Sequence, residues 1–418
     1  MNLNNTEKQT EPQSKSGRSP FGNLLSILGP GIITAALIFG PSKMTITSKM
    51  GADFGFSLIW IIVVAIFFMS VYTNMSARIG LAADDSLLTL IRNKYGRTVS
   101  VIIGIGIFLV AISFQAGNAT GISLSISEAT NTNPRIWIIL FNLIGISLIF
   151  FRSFYLIFEK LMLALIIVML FAFITTVIMA PPGLSELSQG FIPRFPNGSL
   201  GLIVAFTASC FSMVGAFYQS YLVQTRKKLS AVYTAKETVM GSQVGIIILG
   251  IMSTAVLICA ANTLHPQQIR VNSASEMGKA LEPLLGSSAT ILFYIGLFSA
   301  SFSSLVGNAV LGGSLLGDTF QYGNNLHHRM VKLFIILVMV FGALIALIFG
   351  KLPLELIVFA QSITIFLVPF IGITLFMIAN DKKIMGEQVN TTQTKIWGIL
   401  GISILVGLAI SNLLTLLK

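Results

Sequence analysis

Charge is what this chain most lacks. Of its 418 residues only 10% are Asp, Glu, Lys or Arg, against roughly 25% in an ordinary soluble domain. Hydrophobic residues make up 54% and the mean hydropathy is +0.87, which excludes a soluble globular domain of this length. Cysteine is scarce as well. Cys210 and Cys259 are the two present, both inside apolar runs, so a disulfide framework is excluded. The three histidines, His265, His327 and His328, fall in loops or at helix ends and form no metal-ligand cluster. No phosphate-binding glycine loop, zinc-binding helix or Ser/His/acid constellation occurs, and GIGIF in the third apolar run is too weak a pattern for a nucleotide site. The chain is expected to be no enzyme and to hold no cofactor, so any work it does draws on gradients of ions or solutes.

What is present is a series of apolar runs, each long enough to cross a hydrocarbon layer of roughly 30 Å. About eleven spans are expected, near 23–52 (broken), 55–76, 99–122, 134–151, 154–180, 199–222 (broken), 238–262, 287–317, 330–350, 353–379 and 396–417. The fold class is therefore an all-α polytopic membrane protein with the lipid bilayer as partner. Residues 1–20 are polar and of mixed charge, without the apolar core of a signal peptide, and read as a disordered cytosolic tail. Residues 21–418 form one integral domain, because the longest polar connections are too short for a soluble one.

A net charge of +11 raises the question of nucleic acid, but its distribution answers otherwise. With the N-terminus inside, most Lys and Arg, among them Arg226, Lys227, Lys228, Lys382 and Lys383, fall on the cytoplasmic side, as the positive-inside bias requires. That orientation fits an N-terminus in the cytoplasm and a location in the plasma (cell inner) membrane. Asp and Glu map to helix ends and loops, and no carboxylate is expected near the bilayer midplane. One cation stands apart. Lys43 is placed at mid-membrane depth.

Lys43 lies within GPSK, residues Gly40 to Lys43, which interrupts the first span. Pro41 has no amide hydrogen, and Gly40 and Ser42 weaken helical continuity. The sixth span carries a second interruption, SCFSMVGAF from Ser209 to Phe217, with Met213 at the break and Gly215 as a permissive joint. Non-helical backbone at membrane depth is tolerated where it is buried in protein or lines a cavity. Two breaks five spans apart suggest an inverted repeat of five plus five helices, about 23–180 and 199–380, around a central site, with the helix at about 396–417 added outside it. Ordinary kinks remain the alternative for each break taken alone.

GPGIITAALIFGPSKMTITSKMGADFGFSLIW (Gly29 to Trp60) resembles the first helix and following loop of the NRAMP family of divalent-metal transporters. YLVQTRKK (Tyr221 to Lys228) is similar to the end of the family's sixth helix, LEPLLGSSATILFYIGLFSASFSS (Leu281 to Ser304) to its eighth, and FAQSITIFLVPF (Phe359 to Phe370) to its tenth. The resemblance implies an alternating-access, proton-linked transporter with the inverted repeat of amino-acid/sodium symporters and a metal held between the two broken helices. It also implies that this chain diverges at that site. The motif's Asp falls at Gly40 and its Asn at Lys43. The methionine ligand falls at Ser212, and a nearby histidine at Val214. The carbonyl at Ser209 and the glutamine at Gln361 remain. The third-helix acids of the proton path align with Phe114 and Gly117.

The altered residues point away from a divalent cation. Such an ion needs strong oxygen or sulfur donors, usually with a carboxylate, whereas the expected cavity has no acid and one ammonium group. At about 4 Å and an effective dielectric of about 20, Lys43⁺ would repel a divalent ion by roughly 8 kcal/mol. Release of the Lys43 proton as substrate enters would relieve this and supply coupling, and a neutral amine could ligate a soft metal. An anion or zwitterion fits without that step. Half-helix N-termini near Pro41 and Gly215 favour negative charge, and Ser42, Ser209, Ser212 and Gln361 supply hydrogen bonds. The candidate substrate residues are thus Gly40, Ser42, Lys43, Ser209, Ser212, Gly215 and Gln361, with Lys43 as the coupling residue and none of them part of a metal site. Three functions stand open: metal-ion transport with an altered site, transport of a small anionic or zwitterionic solute, and a non-transporting sensor or accessory subunit. A structural reading of Lys43, snorkelling or plugging helix carbonyls, stands beside them. Cys210 reads as packing, and Asn118 and Asn308 as interhelical glue.

Overall fold

The computed structural model describes residues 31, 33–150, 154–179, 181–210, 213–229, 235–270, 286–349 and 354–417. The expected tail at 1–20 and the candidate Ser212 lie outside these. Among the described residues the chain is helical throughout, with no strand. Helix α1 covers 33–38 and is followed by α2 (Pro41–Phe54), α3 (Ile59–Ala82), α4 (Leu87–Tyr95), α5 (Arg97–Thr130), α6 (Pro134–Leu148) and α7 (Phe154–Met179). Next come α8 (Leu184–Gln189), α9 (Leu200–Cys210), α10 (Met213–Leu229), α11 (Ala235–Thr263) and α12 (Ser287–Thr319). The chain ends with α13 (Arg329–Phe349), α14 (Leu354–Ala379), the short α15 (Lys382–Met385) and α16 (Thr392–Leu416).

Among the described residues seven helical runs are long and apolar enough to cross a membrane, or up to eight if a pair bent by 63° at the end of α14 counts as one span. The count is below eleven partly because α2 and α3 are joined by the turn Gly55–Leu58 into one run, Pro41–Ala82. Gly55 makes that turn at φ 57, a conformation glycine adopts at no steric cost. The outer surface is apolar: Leu109, Ile139, Leu143, Ile178, Ile348 and Phe370 are all exposed, as expected where lipid is the solvent.

Packing divides the helices into two groups. α2, α3, α10 and α11 pack mainly on one another, and α5, α7, α12 and α13 form a second group centred on the long α5–α12 contact. Small residues permit the tightest approaches. A methyl group at Gly245 of α11 would fall 1.9 Å from the Gly31 carbonyl oxygen, and one at Gly80 of α3 would fall 2.5 Å from the Ser220 carbonyl oxygen in α10. Buried polar side chains reinforce the first group. Thr34 donates to Gln219, and Gln219 Nε2 donates to Ser242 Oγ at 2.6 Å, tying α1, α10 and α11 together.

Candidate functional site

The first span breaks at Phe39 and Gly40, where α1 stops and α2 begins at Pro41. A helix that stops inside the membrane leaves carbonyls without partners. Here α12 provides for them: Ser303 Oγ donates to the Ala36 carbonyl at 3.1 Å, and Ser304 Oγ lies 3.1 Å from the Ala36 and 3.2 Å from the Leu37 carbonyl oxygens. The other side of the break is left open. No side chain caps α2, and because Pro41 has no amide hydrogen the first free donors are the amides of Ser42 and Lys43.

Two close approaches by α5 hold the break in place. A methyl group at Gly121 would meet Pro41 Cβ at 2.6 Å and Ser301 Oγ at 2.3 Å, and one at Gly117 would meet Ser42 Oγ at 2.7 Å. Glycine at these positions lets α5 lie directly against the broken segment. α9 is described to Cys210 and α10 from Met213; the second expected break, Ser209 to Phe217, includes residues 211 and 212, which lie outside the described residues.

Between the first break and the described ends of α9 and α10 lies a cavity of about 40 Å³ lined by Gly40, Ser42, Lys43 and Ser209 together with Leu37, Ile38, Phe114, Asn118, Val214, Ser304, Asn308 and Leu311. Since one water needs about 10–15 Å³ on this measure, the space suits a few waters or a small ion. Of the sequence candidates, Gly40, Ser42, Lys43 and Ser209 come together here. Gly215 lies outside the lining, Ser212 is outside the described residues, and Gln361 is in α14 with its side chain outside them. Asn118 and Asn308, read from sequence as glue, line the cavity, although Asn308 Nδ2 also donates to the Ala111 carbonyl at 2.6 Å. Ser304 was not singled out from sequence; the serine-rich stretch SASFSS within an apolar span was its only signal.

Among the described residues no acid lines the cavity, and no group of three or more His, Cys, Asp or Glu is placed to hold a metal ion. Lys43 is 1% exposed and its Nζ has no hydrogen-bond partner among the described residues. The Phe206 ring centroid is 5.9 Å away, and Cys210 is the ionisable side chain the amine faces. A cation–π contact is worth up to about 2 kcal/mol, less than the several kcal/mol that desolvating an ammonium costs. Among the described residues the amine is thus buried with the Phe206 ring and the Cys210 thiol as its neighbours and no acid to pair with it.

A helical membrane protein with a span broken beside a small polar cavity has the architecture of a membrane transporter. The chain belongs to the Nramp family: the family profile described as natural resistance-associated macrophage protein-like matches residues 31–415. It is 27% identical over 380 residues to a divalent metal cation transporter MntH of Deinococcus radiodurans, covering 88% of this chain and 84% of that one. A divalent metal cation transporter MntH of Yersinia pestis is 24% identical over 415 residues, covering 96% and 98%. Among solved structures, a mutant of the Eremococcus coleocola manganese transporter superposes with a TM-score of 0.79 at 20% identity, covering 96% of this chain and 88% of that one. The fold expected from the sequence, an all-α membrane protein with the inverted repeat, is the fold found, and the first of the expected broken helices is seen at Phe39 and Gly40.

Proposed function

We propose that this Nramp-family transporter works by alternating access and that its substrate is a small anionic or zwitterionic solute rather than a divalent cation. The supporting observation is Lys43: a buried amine without a hydrogen-bond partner among the described residues, beside a helix N-terminus with no side-chain cap, in a cavity that no described acid lines. Each of these favours negative charge. A carboxylate or inorganic anion at about 4 Å from Lys43⁺ gains roughly 4 kcal/mol at an effective dielectric of about 20, where a divalent cation loses roughly 8. Ser42, Ser209 and the first-turn amides supply hydrogen bonds, with Ser212, Gly215 and Gln361 as further candidates. Lys43 also serves as the coupling residue, its proton leaving or returning with the solute. The two helix groups rock against each other around this site, with repeats at about 23–180 and 199–380, in a plasma membrane with the N-terminus cytoplasmic.

The second reading is divalent-metal transport through an altered site, which the names of the Deinococcus and Yersinia relatives favour. Purified protein in liposomes separates the two. Uptake is measured for Mn²⁺ and for a panel of labelled small anions and amino acids, with wild type and Lys43→Ala. On the anion reading one panel member shows saturable uptake, and Lys43→Ala raises its KM by about 30- to 4,000-fold, the equivalent of losing one partner of a buried charge pair. Saturable Mn²⁺ uptake that survives Lys43→Ala overturns it. Tight binding of a solute with no flux of any kind would favour the sensor.

A further inference from the structure

Asp318 is the only buried carboxylate among the described residues, 7% exposed, and it lies in the last turn of α12, far along the helix from the cavity. Its Oδ2 accepts two hydroxyl hydrogen bonds, from Ser86 at 2.6 Å and from Tyr221 at 2.7 Å. Both donors are themselves held. The Tyr221 oxygen accepts from the Leu88 amide at 3.1 Å, and Ser86 Oγ accepts from the Thr89 amide at 3.2 Å, capping α4. One carboxylate oxygen thus joins α4, α10 and α12.

This junction crosses the division between the two helix groups. α10 packs on α3 in the first group, α12 on α5 in the second, and α10 and α12 touch each other only slightly. What the hydrogen bonds place across the gap is polar: Tyr221 donates to Asp318. On the same face Gln224 Nε2 donates to the Ala83 and Asp85 carbonyls at 3.1 and 2.8 Å, holding the turn before α4 against α10.

The electrostatics are unusual for a buried acid. Among the described residues no Lys, Arg or His makes an ion pair with Asp318. The charged group that acts on it is a second acid, Asp85, in the turn before α4. From α5 and α13 the end of α12 meets Gly104 and Val331, which carry no charge. Bonds of 2.6 and 2.7 Å from hydroxyls are of the length of charge-assisted bonds to a carboxylate, which are about twice as strong as neutral ones.

We infer that Asp318, Ser86 and Tyr221 form a proton-sensitive latch that closes the α4 face of the transporter and releases when Asp318 is protonated. A proton from the adjoining solution adds to the Asp318 carboxylate, while Ser86 and Tyr221 keep theirs. Both bonds fall to neutral strength, and the repulsion from Asp85 that the anion bore is removed along with the attraction for the two hydroxyls. The latch then no longer ties α10 to α12, and the groups are free to part on this face. Acid on the α4 side therefore favours opening there, whatever solute the cavity takes. Asp318 acts through the helices and does not touch the substrate, so it is a positioning residue.

Hydrogen–deuterium exchange on the full chain in lipid nanodiscs tests this without a transport substrate. The amides to follow are Leu88 and Thr89, with α5 as internal control, at about pH 8 and about pH 3, on either side of the ordinary Asp value of about 3.9, after correction for intrinsic exchange. In wild type their exchange rises about tenfold or more at the acid pH, the loss expected when two charge-assisted bonds become neutral. In Asp318→Asn exchange is fast at both pH values, and Tyr221→Phe is faster than wild type at about pH 8 with a reduced acid response. Wild-type protection that is equal at the two pH values, or an acid response that persists in Asp318→Asn, overturns the latch. If Asp318→Asn does not insert, Tyr221→Phe and Ser86→Ala decide: an acid response as large as wild type in both overturns it.

Discussion

Exchanging the residues at 40 and 43 for the acid and amide of the family motif gives the sharpest test of the site's electrostatics. Lys43→Asn removes a repulsion of roughly 8 kcal/mol on a divalent ion at about 4 Å, and Gly40→Asp adds an attraction of similar size. Sterics oppose the second change. A Cβ at Gly40 would lie 3.0 Å from both Asn118 Oδ1 and Ser304 Oγ. Asn118 can turn aside, whereas turning Ser304 would uncap the Leu37 carbonyl and leave Ala36 to Ser303 alone. Overpacking of this kind costs about 1–3 kcal/mol, so charge outweighs space. Titration calorimetry with Mn²⁺ on purified protein is expected to show no saturable binding for wild type, weak binding for Lys43→Asn and the tightest for the double variant. Adding Asn118→Ser to the double variant should strengthen binding further by relieving the crowding. Wild type binding Mn²⁺ as tightly as the double variant would refute the reasoning. So would a folded double variant that binds none.

Three further outcomes follow from the packing and surface charge. Gly121→Ala places a methyl against the Pro41 ring and should lower the melting temperature in detergent by more than Gly117→Ala, whose methyl meets only the movable Ser42 hydroxyl; differential scanning fluorimetry would read a gap equivalent to about 1–3 kcal/mol. Gly245→Val should abolish a folded monodisperse peak in size-exclusion chromatography, since its side chain would overlap the backbone at Gly31. Lys94 and Asp381 pair at 2.6 Å, and the hydrogen bond from Lys94, followed by that from the Lys383 amide, holds Asp381 below the usual carboxylate range. A depressed native value means that this stabilisation is present above the unfolded value of about 3.9 and lost as pH falls through the native one. Asp381→Asn should therefore lower stability by up to about 1 kcal/mol at neutral pH, and its melting curve should merge with wild type in strong acid.

Much of the fold is legible in the sequence because lipid makes a blunt demand: long apolar runs and no loose backbone at depth. Gly40 and Pro41 announced the first break by their own chemistry. The second was read from SCFSMVGAF, with Met213 at the break and Gly215 as a permissive joint, and residues 211 and 212 within it lie outside the described ones. Lys43 was conspicuous as a cation among apolar neighbours, yet its neighbours Phe206 and Cys210 are far away in sequence and no pattern of spacing links them. Ser303 and Ser304 read as unremarkable polar residues in an apolar span; their task depends on carbonyls that exist as partners only because α1 stops where it does. Asp318 looked like any acid at a helix end, and only the tertiary approach of α4 and α10 buries it.

The two ways in which α1 meets its neighbours bear on how the protein can move. Against α11 the approach at Gly31 and Gly245 is backbone to backbone, with no space to slide and no side chain to rearrange. Against α12 the approach is through the hydroxyls of Ser303 and Ser304, bonds that water can replace one at a time at little net cost. The first contact welds and the second can be remade. The seam with α12 is therefore the one that water can loosen and the contact at Gly31 the one that resists it, so the break carries its own lubricant in two serine side chains.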